Sequence, residues 1–401
     1  MYNFIFAFVI CGVIVLFGDM VARITKAWIP SVFASAVLIL IGYWTVLPHS
    51  LVKDSYLIPF GATLGIFLLI THLGTIISLK QLLAQWRTAL VCLSGLAGMV
   101  ALCYFVAPLV MDRNLVIAGL PPLTGGIVAA TMMQSAATKA GLTVAAVFAI
   151  SMYCVQGFAG YPLTAICLKR EGARLLEGYR KGELKLNEED LEAVHSATQL
   201  GEGKVEAPTA RLPLQLPESF NSPVMILTKL GLVAWLALII GPKTGISAAI
   251  WALVLGIIFC RLGFLDRNAL VKANSAGIMM MALTMYIFDG LKDCTPEMLS
   301  GIIVPMVELI VIGLVGMFAV AYFVAKLFKI STELAFANCL TALYGYPFDQ
   351  IITIQTCDSL AKTPEEHAFL MSRMFPAMIV SGFVTVTITS VFIAGIFVNM
   401  L

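Results

Sequence analysis

Two apolar stretches of the chain, residues 115–139 and 333–358, carry polar side chains where a membrane-spanning helix would carry leucine and valine. Each contains a glutamine followed directly by a hydroxyl residue, Gln134-Ser135 and Gln355-Thr356. Backbone groups at membrane depth must be hydrogen-bonded, so a non-helical stretch persists there only if it is buried in protein or lines a wet cavity. Oxygen atoms in such a cavity can coordinate a small hard cation, and helix N-termini can hold an anion. Both stretches are therefore candidate ligand sites, although their small residues would also serve close helix packing.

The candidate ligands divide by chemistry into two groups. Hydroxyl oxygens suit a sodium ion, and the expected Na⁺ ligands are Thr131, Thr138, Thr353 and Thr356. Amide, hydroxyl, carboxyl and guanidinium groups suit an organic solute, and the expected substrate contacts are Gln134, Ser135, Tyr346, Asp349, Gln350, Gln355 and Arg373. Arg373 follows the second stretch as a fixed cation for an anionic substrate, or it extends to the membrane interface.

Ionisable residues at membrane depth are functional candidates. Asp349 could bind a cation, a proton or a substrate amine. Glu308 could act in the same way or pair within the helix bundle, and His72 could relay protons or be a hydrogen-bonded core residue. The sequence contains no His-Glu-x-x-His, Gly-x-Ser-x-Gly or paired Gly-x-Gly-Asp constellation. We therefore expect no enzyme activity and no cofactor.

The composition requires a membrane environment for the elements that position these residues. Of 401 residues, 60% are hydrophobic and 12% are charged, whereas soluble domains carry roughly 25% charged residues. The net charge of +2 gives no sign of a nucleic-acid partner. The nine cysteines are scattered through apolar runs and are typical of small buried hydrophobic residues. The composition predicts an all-α integral membrane protein in a lipid bilayer.

The hydrophobic pattern predicts ten membrane spans. A helix needs about 20 mainly apolar residues to cross a bilayer. By this criterion the spans lie near residues 2–19, 29–47, 57–78, 88–110, 142–168, 222–241, 244–262, 273–290, 299–327 and 367–398.

The order of spans and polar stretches repeats. We divide the chain into an N-terminal membrane repeat (1–168), a cytoplasmic linker (169–221) and a C-terminal membrane repeat (222–401). Each repeat holds five spans and one re-entrant or broken-helix segment. An odd number of crossings makes the second repeat inverted, an arrangement typical of secondary transporters.

Positive charge predicts the orientation, provided both polar stretches return to the side from which they entered. With both termini outside, most lysines and arginines, including those of the central loop, fall on the cytoplasmic side. This distribution follows the positive-inside rule. We expect a multi-pass protein of the inner (plasma) membrane.

The chain resembles the sodium/glutamate symporter family across nearly its whole length. The resemblance rests on Trp28-Ile29-Pro30, Gly61-Ala62-Thr63-Leu64-Gly65, Tyr346-Pro347, Gln355-Thr356, and Ala368-Phe369-Leu370 running to Pro376. It implies ten spans with two re-entrant or broken segments, a homodimer, sodium coupling and an anionic amino acid as substrate. Three features depart from the family: Met132-Met133-Gln134-Ser135 replaces a tip rich in glycine and histidine, the second tip is poorer in glycine, and Asp349 has no acidic counterpart.

We therefore expect an ion-coupled symporter, driven by Na⁺ as the coupling ion, that works by alternating access. The expected solute is a small carboxylate or amino acid, with a glutamate-like solute favoured. Asp349 would repel a nearby dianion by several kcal/mol at about 4 Å and an effective dielectric near 20, so another carboxylate is compatible with the sequence. The alternatives are a proton-coupled permease or exporter of another organic anion, and a channel.

Overall fold

The computed structural model describes residues 2–25, 29, 31–76, 85–186, 194, 214, 222–246, 248–345 and 348–401. All regular secondary structure within these residues is helical. The helices of the first half are α1 (Phe4–Ile24), α2 (Ser31–Thr45), α3 (Leu51–Asp54), α4 (Leu57–Pro59), a π-helix (Phe60–Gly65), α5 (Ile66–Ile76), α6 (Trp86–Val106), a 3₁₀ turn (Ala107–Leu109), α7 (Arg113–Leu123), α8 (Ile127–Lys139), α9 (Thr143–Val155) and α10 (Gly157–Arg180).

The second half repeats some of these elements in the same order. Its helices are α11 (Pro223–Thr244), α12 (Ala248–Arg261), α13 (Ala269–Lys272), α14 (Ala276–Asp289), α15 (Pro296–Phe328), α16 (Thr332–Leu340), a 3₁₀ turn (Thr341–Leu343), α17 (Phe348–Leu360), α18 (Pro364–Gly382), a π-helix (Phe383–Thr389), α19 (Ser390–Phe397) and a 3₁₀ turn (Val398–Met400). In both halves two spans precede a four-residue helix, and a helix–break–helix segment precedes a long interrupted span. The π-helix, however, precedes α5 in the first half and follows α18 in the second.

Among the residues that the structure describes, six helical stretches are long and apolar enough to cross a membrane. They are Phe4–Ile24, Trp86–Leu109, Thr143–Arg180, Pro223–Thr244, Pro296–Phe328 and Pro364–Met400. Four shorter apolar helices, α2, α5, α12 and α14, coincide with the other four predicted spans. The structure thus fits an all-α, membrane-embedded protein.

One span is longer than the sequence predicted. The span expected to end at residue 168 continues as α10 to Arg180, so the beginning of the predicted linker is helical. This extension is stabilised by polar contacts: Glu171 accepts a hydrogen bond of 2.7 Å from Arg174 and one of 2.6 Å from the Ser331 hydroxyl. Most of the remaining linker lies outside the described residues.

Small residues allow the two halves to pack closely. Helices α6 and α15 cross at Gly98 and Gly316, where a Cβ atom added to either glycine would lie 2.5 Å from the other's carbonyl oxygen. Helices α5 and α12 meet in the same way at Gly74, whose added Cβ would lie 2.6 Å from the Leu253 carbonyl oxygen. Only glycine permits backbones to approach this closely, which is how membrane helices gain packing energy without a hydrophobic driving force.

Candidate functional site

Helices α7 and α8 form a helical hairpin, called hairpin 1 here, that packs against α9. Along α7, Gly119 packs against Phe148 of α9. Helix α8 then runs back, so that its end at Lys139 lies four residues before α9 begins. The turn between them, residues 124–126, contains Gly125 with φ +119° and Gly126 with φ +86°. Such positive φ values are accessible to glycine at little steric cost, so the glycine pair allows the chain to reverse here.

Helices α16 and α17 form hairpin 2, which packs against α10. Its beginning and end lie at the same level of α10, because Ser331 bonds Glu171 and Leu360 packs against Gly172. Its tip lies farther along: Tyr344 packs against Gly160, and its hydroxyl donates a 3.0 Å hydrogen bond to Thr164. Twelve residues of α10 separate the two levels, which corresponds to roughly 18 Å at 1.5 Å per residue.

The two hairpins approach from opposite ends of one helical stretch. Helices α9 and α10 together form the stretch Thr143–Arg180, interrupted by a turn at Gln156. Hairpin 1 has its base at the beginning of α9, and hairpin 2 has its base near Glu171 of α10. Their tips therefore meet beside the interruption in the middle of the stretch.

The contact between the two tips is made by backbone. A Cβ atom added to Gly125 would lie 2.6 Å from the Ala342 carbonyl oxygen at the tip of hairpin 2. Both tips also pack around Val386: an added Cβ on Gly126 would lie 2.8 Å from its carbonyl oxygen, and one on Gly345 would lie 2.9 Å from its side chain. Val386 belongs to the π-helix Phe383–Thr389. π-helical turns occur frequently at functional sites.

A cavity of about 240 Å³, called the tip cavity here, lies between the tips. Its walls are mainly apolar, and none of the lining side chains is charged. It is lined by Leu69, Leu73, Ile76, Gly126, Ile127, Val128, Tyr153, Gln156, Met280, Leu283, Tyr344, Gly382, Phe383 and Val386.

The polar groups of the tip cavity are one side chain and one helix N-terminus. Gln156 is 2% exposed, and its Oε1 atom has no hydrogen-bond partner. Helix α8 begins at the cavity wall, and its N-cap residue Gly126 supplies no side-chain hydrogen bond to the first turn. The N–H groups of a first turn have no acceptor within their helix and carry partial positive charge. The cavity therefore combines a helix N-terminus, which carries partial positive charge, with an unpaired amide oxygen.

A smaller aromatic chamber of about 50 Å³ adjoins the tip cavity and shares Tyr153 and Tyr344 with it. Tyr161 and Tyr344 face each other edge-on there, with ring centroids 6.0 Å apart, and Phe348 completes the aromatic lining. Asp349, the next residue, is fully buried. Its Oδ1 atom accepts a 2.7 Å hydrogen bond from the Gln350 N–H, whereas its Oδ2 atom has no partner.

The four threonines predicted as Na⁺ ligands each bond the preceding helical turn. Thr131 donates to the Ile127 carbonyl (2.6 Å) and Thr138 to the Gln134 carbonyl (2.8 Å). Thr353 and Thr356 donate to carbonyl oxygens four residues before them, at 2.7 and 2.8 Å. Each hydroxyl keeps an acceptor lone pair, but this bonding is also the usual behaviour of a threonine within a helix.

The predicted substrate contacts are spread over several places. Gln134 and Ser135 lie about two turns beyond the tip of hairpin 1; Gln134 is buried beside Gly290, the residue that follows α14. On α17, Asp349 and Gln350 begin the helix, and Gln355 is an exposed residue that accepts a 3.4 Å hydrogen bond from the Tyr161 hydroxyl.

Two further candidates lie elsewhere. Arg373 donates a 3.2 Å hydrogen bond to the Lys185 carbonyl beyond the end of α10, and its guanidinium lies 5.6 Å from the Phe369 ring centre. Tyr346 lies outside the described residues. None of the predicted residues that the structure describes lines the tip cavity.

Two other ionisable residues have structural partners. His72 is buried, and its Nδ1 atom accepts a 3.2 Å hydrogen bond from the Leu270 N–H, which matches the core interpretation. Asp358 forms a 3.0 Å contact with His367 near the base of hairpin 2. Within the described part of the chain, no group of three or more histidine, cysteine or acidic residues could hold a metal ion.

Sequence reasoning missed Tyr153 and Gln156 as cavity residues. A signal for Gln156 was present, because Gln156-Gly157 interrupts an otherwise apolar span. The π-helix around Val386 also carried a signal, because Thr385, Thr387 and Thr389 alternate with apolar residues inside a predicted span.

No protein-family model matches the chain, and no curated protein matches it significantly. The resemblance to sodium/glutamate symporters therefore stays a prediction.

Proposed function

We propose that this protein is an ion-coupled secondary transporter, a Na⁺-driven symporter of a small carboxylate or amino acid. The observation that carries the proposal is the meeting of the two hairpin tips, one from each half, at a cavity beside Gln156, where α9 and α10 join. Secondary transporters hold their substrates near the membrane midplane at interrupted helices. Non-helical backbone at that depth is tolerated where it lines a cavity.

Alternating access is the second part of the proposal. The partly matching order of elements in the two halves, and the approach of hairpins 1 and 2 from opposite ends of α9–α10, support an inverted repeat in which each hairpin gates one side of the membrane. The proposed scaffold is a homodimer built on the first spans of each half. Helix α1 supports this assignment because it exposes apolar side chains along most of its length, including Phe4, Leu16 and Met20.

We assign the solute carboxylate to the first turn of α8 and the coupling cation to the neighbourhood of Asp349. The carboxylate would accept hydrogen bonds from N–H groups that lack acceptors within the helix. Asp349 supports the second assignment because one of its oxygens is buried and unpaired. An ionised carboxylate in such a place is costly until a cation joins it, so the cation would be held where the tips meet.

The test is uptake by proteoliposomes containing the purified protein. An inward sodium gradient should drive saturable uptake of a small carboxylate or amino acid, and replacement of sodium by potassium should abolish it. Uptake that neither saturates nor responds to any ion gradient would contradict a coupled transporter and favour a channel.

A proton-coupled permease is the second candidate, and the same residue favours it. A buried carboxylate with one unpaired oxygen can be neutralised by a proton as well as by a metal ion. In that case a pH gradient should drive uptake in sodium-free buffer. The two candidates are therefore separated by imposing each gradient alone on the same proteoliposomes.

A further inference from the structure

We propose that the solute of the tip cavity is a zwitterionic amino acid with an apolar side chain, and that Gln156 accepts a hydrogen bond from its ammonium group. This inference rests on the proposed transport function and names the substrate class of the same site. It departs from the glutamate-like solute that the sequence resemblance implies.

The apolar walls of the cavity disfavour a solute with an acidic side chain. Leu69 and Leu73 of α5, Met280 and Leu283 of α14, and Phe383 of the second π-helix surround the space opposite the hairpin tips. No lysine, arginine or histidine is among the lining residues. A second carboxylate would therefore be buried against hydrocarbon with no cation to pair it, which is strongly unfavourable. An apolar side chain gains free energy from the same walls.

The polar groups of the cavity match the other end of an amino acid. The first turn of α8 offers N–H donors to one carboxylate. Gln156 offers an amide oxygen that is buried and has no partner within the protein. A buried acceptor without a partner is costly, and an ammonium group, with three N–H donors, would supply the missing hydrogen bond.

The aromatic residues favour a cation at the same place. Tyr153 and Tyr344 line both the tip cavity and the aromatic chamber beside it. A ring face attracts an ammonium group through its quadrupole, and this attraction is stronger where water is excluded. The volume of about 240 Å³ lies below the roughly 300–1,000 Å³ of sites for drug-sized ligands, as expected for a small amino acid.

The experiment compares four probes on the purified full-length protein in sodium buffer, with the thermal unfolding midpoint as the readout of binding. The probes are L-leucine, L-methionine, L-glutamate and 4-methyl-2-oxopentanoate, the last being the leucine skeleton without its ammonium group. Leucine or methionine should raise the midpoint at the lowest concentration. Glutamate should bind on the order of 100-fold more weakly than leucine, because its second carboxylate would be buried without a partner. The oxo acid should also bind more weakly than leucine, because it leaves the amide oxygen of Gln156 unpaired.

Three results would overturn the inference. Tighter binding of glutamate than of leucine and methionine would contradict the apolar side chain while leaving transport of a carboxylate intact. Tighter binding of the oxo acid than of both apolar amino acids would contradict the ammonium contact. No shift with any of the four probes would overturn both the inference and the proposed function.

A variant tests Gln156 directly. Gln156→Leu should weaken leucine binding at least about 10-fold, the effect of losing roughly one hydrogen bond to a charged group, while oxo-acid binding is unchanged or improved. The matched control is Asn338→Leu, which removes another buried amide with an unpaired oxygen, at a residue that does not line the cavity. This control should still bind leucine more tightly than the oxo acid. Equal weakening of leucine and oxo-acid binding by Gln156→Leu would show that this residue does not contact the ammonium group.

Discussion

Substitution of Gly125 by alanine tests whether the two hairpin tips are in contact. The residue has φ +119°, a conformation that costs a side-chain-bearing residue about 1–3 kcal/mol. Its new Cβ atom would also lie 2.6 Å from the Ala342 carbonyl oxygen, and forcing an atom into a packed site costs about 1–3 kcal/mol more. We expect Gly125→Ala to destabilise the protein by about 2–6 kcal/mol and to impair transport.

Gly141→Ala is the matched control. This glycine also has a positive φ, +74°, but nothing lies within 4 Å of an added Cβ atom. Its cost should be limited to the backbone conformation, about 1–2 kcal/mol. The smaller entropy of the unfolded chain that any Gly→Ala change brings applies to both variants and cancels in the comparison.

The assay is thermal unfolding of both variants in the same detergent, followed by solute uptake in proteoliposomes. Gly125→Ala should unfold at a clearly lower temperature than Gly141→Ala and should lose uptake, whereas Gly141→Ala should keep it. Equal midpoints and equal uptake would refute the reasoning, because they would mean that no backbone from hairpin 2 lies against Gly125.

Three further predictions concern buried and interfacial charge. Asp349→Asn preserves the volume of a fully buried side chain but removes its charge, so we expect normal expression and loss of ion-driven uptake; normal uptake would exclude Asp349 from the coupling site. Lys229→Met breaks a 2.7 Å ion pair with Asp266, which keeps a 3.9 Å contact with Lys272, and should lower stability by at most about 3–5 kcal/mol, measured by thermal unfolding. Arg180→Ala removes a two-pronged pair with Glu366 at 2.7 and 2.9 Å, and should lower the unfolding midpoint without changing the KM of uptake.

The helices were largely predictable because hydrophobic length decides them. All ten predicted spans coincide with helical stretches. The one clear extension, from residue 168 to Arg180, depends on contacts such as that of Ser331 with Glu171. Those partners are 160 residues apart in the chain, so local hydropathy could not reveal the contact.

The candidate site was predictable only in part. The two polar stretches do form the hairpins. Within them, Gln134 and Gln355 were predicted as substrate contacts from the chemistry of their side chains. The tips instead meet through backbone at Gly125 and Ala342. The family resemblance implied a first tip at Met132-Met133-Gln134-Ser135, but these residues lie within α8, and the chain reverses at Gly125-Gly126 instead.

The partner of each tip could not be read from the sequence. Val386, which contacts both tips, lies between Thr385 and Thr387, and a valine carries no sign of the backbone groups that pack against it. Gln156 is the counter-example. A lone amide side chain in a membrane span is costly, so its presence predicts a polar role for that residue.

The most direct test of the central claim is cysteine labelling at the bases of the two hairpins in oriented membrane vesicles. Asn114 of hairpin 1 and Lys362, just beyond hairpin 2, are both exposed, whereas the native cysteines are buried except for half-buried Cys167. A membrane-impermeant thiol reagent should label Asn114→Cys only from outside and Lys362→Cys only from the cytoplasmic side. Labelling of both positions from the same side would mean that the hairpins do not enter from opposite faces, and it would contradict the proposed mechanism.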